Sequence, residues 1–235
     1  MKKIIIFTLA ALFTSLSLIT NAQEEQGTDK EFKPFRFGLH ASPSISWIKP
    51  DTDGYEIDGT RIGFGYGILA EFNLTNNYAL STGVDIVYQG GKLSYSDTIE
   101  YSGDREALAT RTYKLQYLHI PAMLRMSTNE IGYITYFANV GLGTAIRINA
   151  VSDDILDDGD NTKKPDVDIS DKISALKTSF IIGVGAEYSL AGDIALMGSL
   201  NFNNGFSDVL SGKNIDGTKE NAIANYIELK VGLMF

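Results

Sequence analysis

The chain reads as all-β: an eight-stranded antiparallel up-and-down transmembrane β-barrel of the outer-membrane type. Three observations predict this. Apolar and polar residues alternate at a period of two along about eight stretches, each near the ~9–11 residues that cross a bilayer as a tilted strand. The connections between them alternate long and short. The polar face carries charges and many glycines, while the apolar face is rich in Tyr and Phe.

The closing stretch shows the pattern most cleanly. Ile227, Leu229, Val231, Leu233 and Phe235 point one way, and Tyr226, Glu228, Lys230, Gly232 and Met234 the other. In chain order, the other stretches run Phe35 to Ile45, Ile62 to Leu74, Tyr78 to Gln89, Arg111 to Met126, Tyr133 to Ile148, Ala175 to Leu190 and Ile194 to Asn203. Pro121 cannot donate a ladder hydrogen bond, so a bulge or bend is expected there. Short connections fall at 75–77, 127–132 and 191–193, long ones at 47–61, 90–110, 149–174 and 205–221. That alternation predicts short periplasmic turns, long outward loops and both termini on the periplasmic side. The eighth strand must then pair with the first, because an open edge cannot persist in lipid.

Sidedness separates a membrane barrel from a soluble one. Alternation alone does not say which face is inside. The polar face holds Arg36, Glu71, Asp85, Arg125, Arg147, Glu187, Glu228 and Lys230, four acids and four bases. Eight strands leave a lumen just wide enough for side chains, so these charges are expected to pair there as a plug. Arg36 and Glu71 come out nearly opposite across the first two strands, which predicts a lumenal ion pair. Glycine at this frequency on a solvent face would be unusual. Inside a narrow lumen it makes room for side chains from other strands.

Ahead of the barrel, residues 1–22 read as a cleaved signal peptide. Lys2 and Lys3 are followed by an apolar run from Ile4 to Ile19, and Thr20-Asn21-Ala22 offers small residues for cleavage before Gln23. The run is short for a retained membrane helix. Residues 23–34 form a short polar tail, and 35–235 the barrel domain.

Composition excludes several functions. Cys is absent, so thiol chemistry, a Cys metal site and disulfides are ruled out. Net charge is −9, and loss of Lys2 and Lys3 with the leader makes it −11. A chain this acidic is a poor partner for nucleic acid.

The Tyr117-Leu118-His119-Ile120-Pro121 run, the leader ending Asn-Ala-Gln and the terminal Phe235 resemble the Bacteroidetes outer-membrane β-barrel family called PorT-like. The resemblance covers most of the mature chain and implies an eight-stranded barrel in the outer membrane of a Gram-negative cell. It implies little about activity. Members often have an acid where this chain has His119, so the lumenal charge arrangement is expected to differ.

Chemistry is sparse. His40 and His119 are the only histidines, and both fall mid-strand on the lumenal face. Both are expected as plug residues; a proton relay or catalysis is the alternative. The period-two glycine runs are not phosphate loops, since no helix follows. In the third long loop eight Asp face three Lys, a net charge of −5. Asp157, Asp158 and Asp160 are weak Ca²⁺ candidates, lacking the spaced ligands of an EF-hand. The simpler expectation is a solvated, mobile acidic loop.

No catalytic site and no bound cofactor is expected; a divalent cation at that loop is the weaker alternative. The expected role is a non-enzymatic envelope protein whose loops bind something or whose body stabilises the membrane. The alternatives are an outer-membrane hydrolase or acyltransferase acting at the rim, or a narrow pore. Expected partners are lipid, lipopolysaccharide, the barrel-assembly machinery and an extracellular ligand. Phe235 is expected to serve as the assembly signal that this machinery reads.

Overall fold

Ring closure governs the architecture. The computed structural model describes residues 33–235 apart from 52–53, 96–97, 102–103, 158–159, 191–192 and 213–219. The expected signal peptide and nearly all of the expected tail lie outside the described residues.

Eight strands form the ring: β1 (Phe35–Pro50), β3 (Arg61–Asn73), β4 (Tyr78–Tyr95), β6 (Asp104–Ser127), β7 (Ile134–Leu156), β9 (Leu176–Ser189), β10 (Ala195–Gly205) and β11 (Ala222–Met234). Three short strands, β2 (Tyr55–Gly59), β5 (Thr98–Tyr101) and β8 (Lys163–Asp168), extend it. Each ring strand pairs antiparallel with the next. The seam is β1 against β11, with register from Gly38 opposite Met234 to Pro50 opposite Ala222. Phe235 finishes it: its amide donates to the Phe37 carbonyl at 2.7 Å, and the two rings stack with centroids 5.3 Å apart.

Sidedness follows the membrane pattern. Along β1 the polar His40, Ser42, Ser44 and Ser46 are buried, while Phe37 and Leu39 are more than half exposed. The same inversion holds around the ring: Glu71, Asp85, Arg125, Glu187, Glu228 and Lys230 point in, and Ile68, Val84, Leu124, Val184 and Leu229 point out. A water-soluble protein would invert this, because exposing so much apolar surface to water is costly. Aromatic pairs Phe35–Phe72 and Tyr133–Tyr188 girdle the end where the short turns lie. Both ends of the barrel domain lie at that end.

Two expectations need correction. The first is the extent of the loops. β6 has 24 residues and β7 has 23. The outward apolar run on β6 spans only Leu118 to Met126, so the part before it stands above the apolar band as a sheet extension. The third loop is likewise largely ordered: β7 runs to Leu156, β8 pairs with it, and a 3₁₀ turn covers Ser170–Lys172. Gly90-Gly91 and Asp153-Asp154 look like loop in one dimension. They become strand because the neighbouring hairpins lend them partners.

The second concerns Pro121. It sits opposite Gly143 with no register shift. Its missing N–H instead leaves Gly83 and Val84 of β4 without registered partners on β6, between the Thr82–Ala122 and Asp85–His119 pairs, while both stay paired to β3. Thr82 Oγ1 donates to the Pro121 carbonyl there, at 2.7 Å. The bulge lies higher, where Gln116 faces Asn149 and Tyr117 faces Arg147, with Ile148 the extra residue. It switches the inward set of β7 from Phe137, Asn139 and Ala145 to Ala150, Ser152 and Asp154.

The barrel is expected to show heat-modifiable mobility. Refolded in detergent, it should run as one band unheated and a different one after boiling. Identical migration, with a fold that stays soluble and monomeric without detergent, would overturn the sidedness.

Candidate functional site in the lumen

The lumen holds the protein's polar chemistry in stacked layers. The first layer lies near the short-turn end. Arg36 and Glu71 are register partners on β1 and β3 and come within 3.6 Å. Arg36 lies closer to Glu187 of β9, at 3.1 Å. Arg125 of β6 meets Glu71 at 2.6 Å and Glu187 at 2.8 Å. Two guanidinium groups and two carboxylates thus alternate in a closed quartet braced across the ring. The Arg125 guanidinium also lies 3.7 Å from the centre of the Phe137 ring. Beside it an apolar group, Leu69, Phe137, Met197 and Met234 among them, fills the remaining mouth.

The second layer centres on Asp85. His40, Gly67, Asp85 and His119 are successive register partners on β1, β3, β4 and β6. Gly67 leaves a gap on the row, and a Cβ there would overlap the Asp85 carboxylate. Through that gap His40 Nε2 reaches Asp85 Oδ1 at 2.8 Å. His119 Nδ1 and Lys230 Nζ approach the other oxygen at 3.7 and 3.5 Å. Lys230 also approaches Glu228 at 3.7 Å, and Asn201 donates to Glu228 at 3.3 Å. Gly143 gives His119 the same kind of room.

Higher up, Lys177 donates to Gln89 Oε1 at 3.0 Å. Above the apolar band, Arg111 grips Asp154 with two bonds of 2.8 and 2.7 Å. Arg147 behaves differently from the other charges named in the sequence. At the bulge it turns upward, and its guanidinium donates to the carbonyls of Ser170 and Ile173. It fastens a loop rather than joining the quartet or the Asp85 layer.

The sequence list omitted Lys177, Arg111 and Asp154. Lys177 and Arg111 share the parity of Glu187 and Arg125, so extending the alternation by a few residues would have found them. Asp154 has the opposite parity to Arg147 and becomes lumenal only through the bulge.

The acidic loop is likewise rearranged. Asp153 and Asp166 both meet Lys114, at 2.7 and 3.0 Å, on the outer face of the sheet extension. Asp157 and Asp160 are exposed, and Asp158 lies outside the described residues. Among the described residues no three His, Asp or Glu side chains converge as a cation site. Hydrogen bonds to Asp153 and Asp166 raise the Lys114 pKa. Desolvation pushes Asp153 up, but the hydrogen bonds from Lys114 and the Asp166 amide outweigh it and hold its carboxyl below the usual range.

A sequence model described as "Outer membrane protein beta-barrel domain" matches residues 21–220. No curated protein matches the chain. Among solved structures, the chain is similar to Neisserial surface protein A at 14% identity, covering 86% of this chain and 96% of that one, with a TM-score of 0.43. It is similar to Ail, the attachment invasion locus protein of Yersinia pestis, at 15% identity over 86% and 100% of the chains, TM-score 0.36. It is also similar to outer membrane protein OprG from Pseudomonas aeruginosa, at 11% identity over 85% and 93%, TM-score 0.41.

Replacing Arg125 with Met leaves two buried carboxylates sharing Arg36. Breaking a buried pair from one side typically costs about 3–5 kcal/mol. Urea unfolding in liposomes, followed by the single Trp47, should show a loss of that order for Arg125→Met. The loss should be smaller when Glu71→Gln is added.

The outer Lys114 cluster has a defined pH window. The lowered Asp153 stabilises the fold above its unfolded pKa, and that support is lost as pH falls through the folded value. The raised Lys114 stabilises below its unfolded pKa, and its support is lost as pH rises through the folded value. Protection of the amides around Asp153 and Asp166, taken as the exchange rate relative to the intrinsic rate at each pH, should therefore be greatest at neutral pH and fall in both acid and strong alkali; Lys114→Met should flatten the profile.

Proposed function

The chain belongs to the outer membrane protein beta-barrel domain family, and from that premise we propose that it is a non-enzymatic integral outer-membrane barrel with a charge-plugged lumen. Family membership implies an outer membrane in a Gram-negative-type cell. The finer reading is a PorT-like Bacteroidetes protein made with a cleaved signal peptide. Its short turns and both termini are periplasmic, and its long-loop end faces outward.

The observation that carries the plug reading is the Arg36–Glu71–Arg125–Glu187 quartet. It spans the lumen from four different strands, so an ion entering from the short-turn end meets charges already neutralised by one another. The Asp85 layer adds a second barrier. His40 and His119 are buried in it, remote from the loops where an outer-membrane enzyme would meet substrate, which supports a non-enzymatic role. The outward end supports a role in binding or envelope integrity: it carries a folded acidic sheet extension, suited to an extracellular ligand or to the lipopolysaccharide layer. Lipid and the barrel-assembly machinery complete the proposed partners. Phe235, which finishes the seam against Phe37, is the residue we assign to recognition by that machinery.

Conductance tests the plug directly. In planar bilayers the refolded wild type should show no steady large steps, and Arg36→Ala with Arg125→Ala should raise the frequency of openings. Steady wild-type conductance would overturn the plug and favour a pore.

A further inference from the structure

Above the Asp85 layer the lumen changes character. Arg36, Arg125, Lys230 and Arg111 each meet a carboxylate. Lys177 is more deeply buried than any of these, 2% exposed, yet among the described residues no carboxylate lies within ion-pair distance of it. Its ammonium has one amide oxygen, on Gln89, and faces the rings of Tyr117 and Tyr226 at 5.8 and 5.2 Å. The Tyr117 hydroxyl beside it is buried and has no hydrogen-bond partner. A buried cation and a buried hydroxyl donor are thus left without an anion.

The space above them is lined mainly by apolar side chains, up to the level of the Arg111–Asp154 pair and the joined Tyr95 and Tyr113 hydroxyls. Ile48, Leu93 and Leu115 line the walls, all essentially inaccessible. Loop side chains fill the centre: Ile169 and Ile173 from one loop, Val209 and Leu210 from another. The two loops join through the Ile173–Leu210 bridge and the bond from the Ser174 amide to the Val209 carbonyl, 2.8 Å. Arg147 holds the first loop by two carbonyls. Withdrawing these loops would leave an apolar chamber, closed below by the charged layers, with an unpaired amine on its floor.

We propose that this outer lumen is a binding site for a single-chain anionic amphiphile, a long-chain fatty acid. The carboxylate pairs with Lys177 and accepts from the Tyr117 hydroxyl. The hydrocarbon chain takes the space now held by the loop side chains, which lift as a lid when Arg147 lets go. The head-group chemistry follows from the unmatched cation, and the tail chemistry from the walls. The proposal rests on the closed-lumen reading above. Binding is measured separately from conductance, so either can fail alone.

The test uses the full mature barrel refolded in phospholipid nanodiscs, with methyl-labelled Ile as the reporter and palmitate as the probe. Wild type should show saturable one-to-one shifts of the Ile48 and Ile173 methyls. Hexadecanol, with the same tail and no charge, should bind at least tenfold more weakly. Lys177→Met should weaken palmitate at least tenfold while keeping the heat-modifiable band. Arg147→Gln should speed the approach to saturation. Absence of saturable shifts would overturn the proposal, as would equal binding of palmitate and hexadecanol. That comparison needs only the wild-type protein, so it decides even if Lys177→Met fails to fold; a folded Lys177→Met that binds palmitate as wild type does would also overturn it.

Discussion

Every backbone N–H and C=O that faces hydrocarbon must find a partner within the protein, and the rest of this structure depends on that requirement. It forces β11 onto β1, because either strand alone would present an unpaired edge to lipid. Closure with eight strands fixes a lumen about one side chain deep. A lumen that narrow must be packed, and the outward face has already taken the apolar half of each alternating strand. What remains for the inside is polar, and in a low-dielectric interior polar groups must satisfy one another. The quartet, the Asp85 layer and the Arg111–Asp154 clasp are successive answers to that demand.

The charges answer it collectively. Arg36, Arg111, Arg125, Lys177 and Lys230 balance Glu71, Asp85, Asp154, Glu187 and Glu228 when both histidines are neutral. Local pairing is uneven, however. The quartet is neutral within itself, the Asp85 layer carries one excess acid, and Lys177 stands apart in aromatic surroundings. The glycines make the unevenness possible: Gly67 and Gly143 clear the way for His40 and His119 to reach into shared space rather than stack above their own strands.

Much of this was legible in one dimension, because strand parity is a strict rule. A period of two assigns each residue to a face, and the charge on that face chose between membrane and soluble barrels. The same parity put Arg36, Glu71, Asp85 and Glu187 on one side of their strands. It could not say which acid meets which base across the lumen, since that depends on tilt and on how far each side chain reaches. Arg36 lies closer to Glu187, 151 residues away, than to its register partner Glu71. Parity also fails past an unseen bulge: Ile148 reverses the faces of β7, which hid Asp154 and turned Arg147 toward the loops. The strand extensions were hidden because Asp- and Gly-rich segments lack intrinsic strand preference and borrow it from neighbours.

The β1–β11 seam has a kinetic side. Each of the other seven ring contacts joins one ring strand to the next ring strand along the chain. The seam alone joins the two ends, with Gly38 opposite Met234. It cannot form until β11 has been made, and until then β1 lacks the partner for that edge. Contacts this distant in sequence are slow to form. An exposed edge with an apolar face is also open to pairing with the wrong chain. Seam closure is therefore the step at which the chain's chief hazard is other copies of itself.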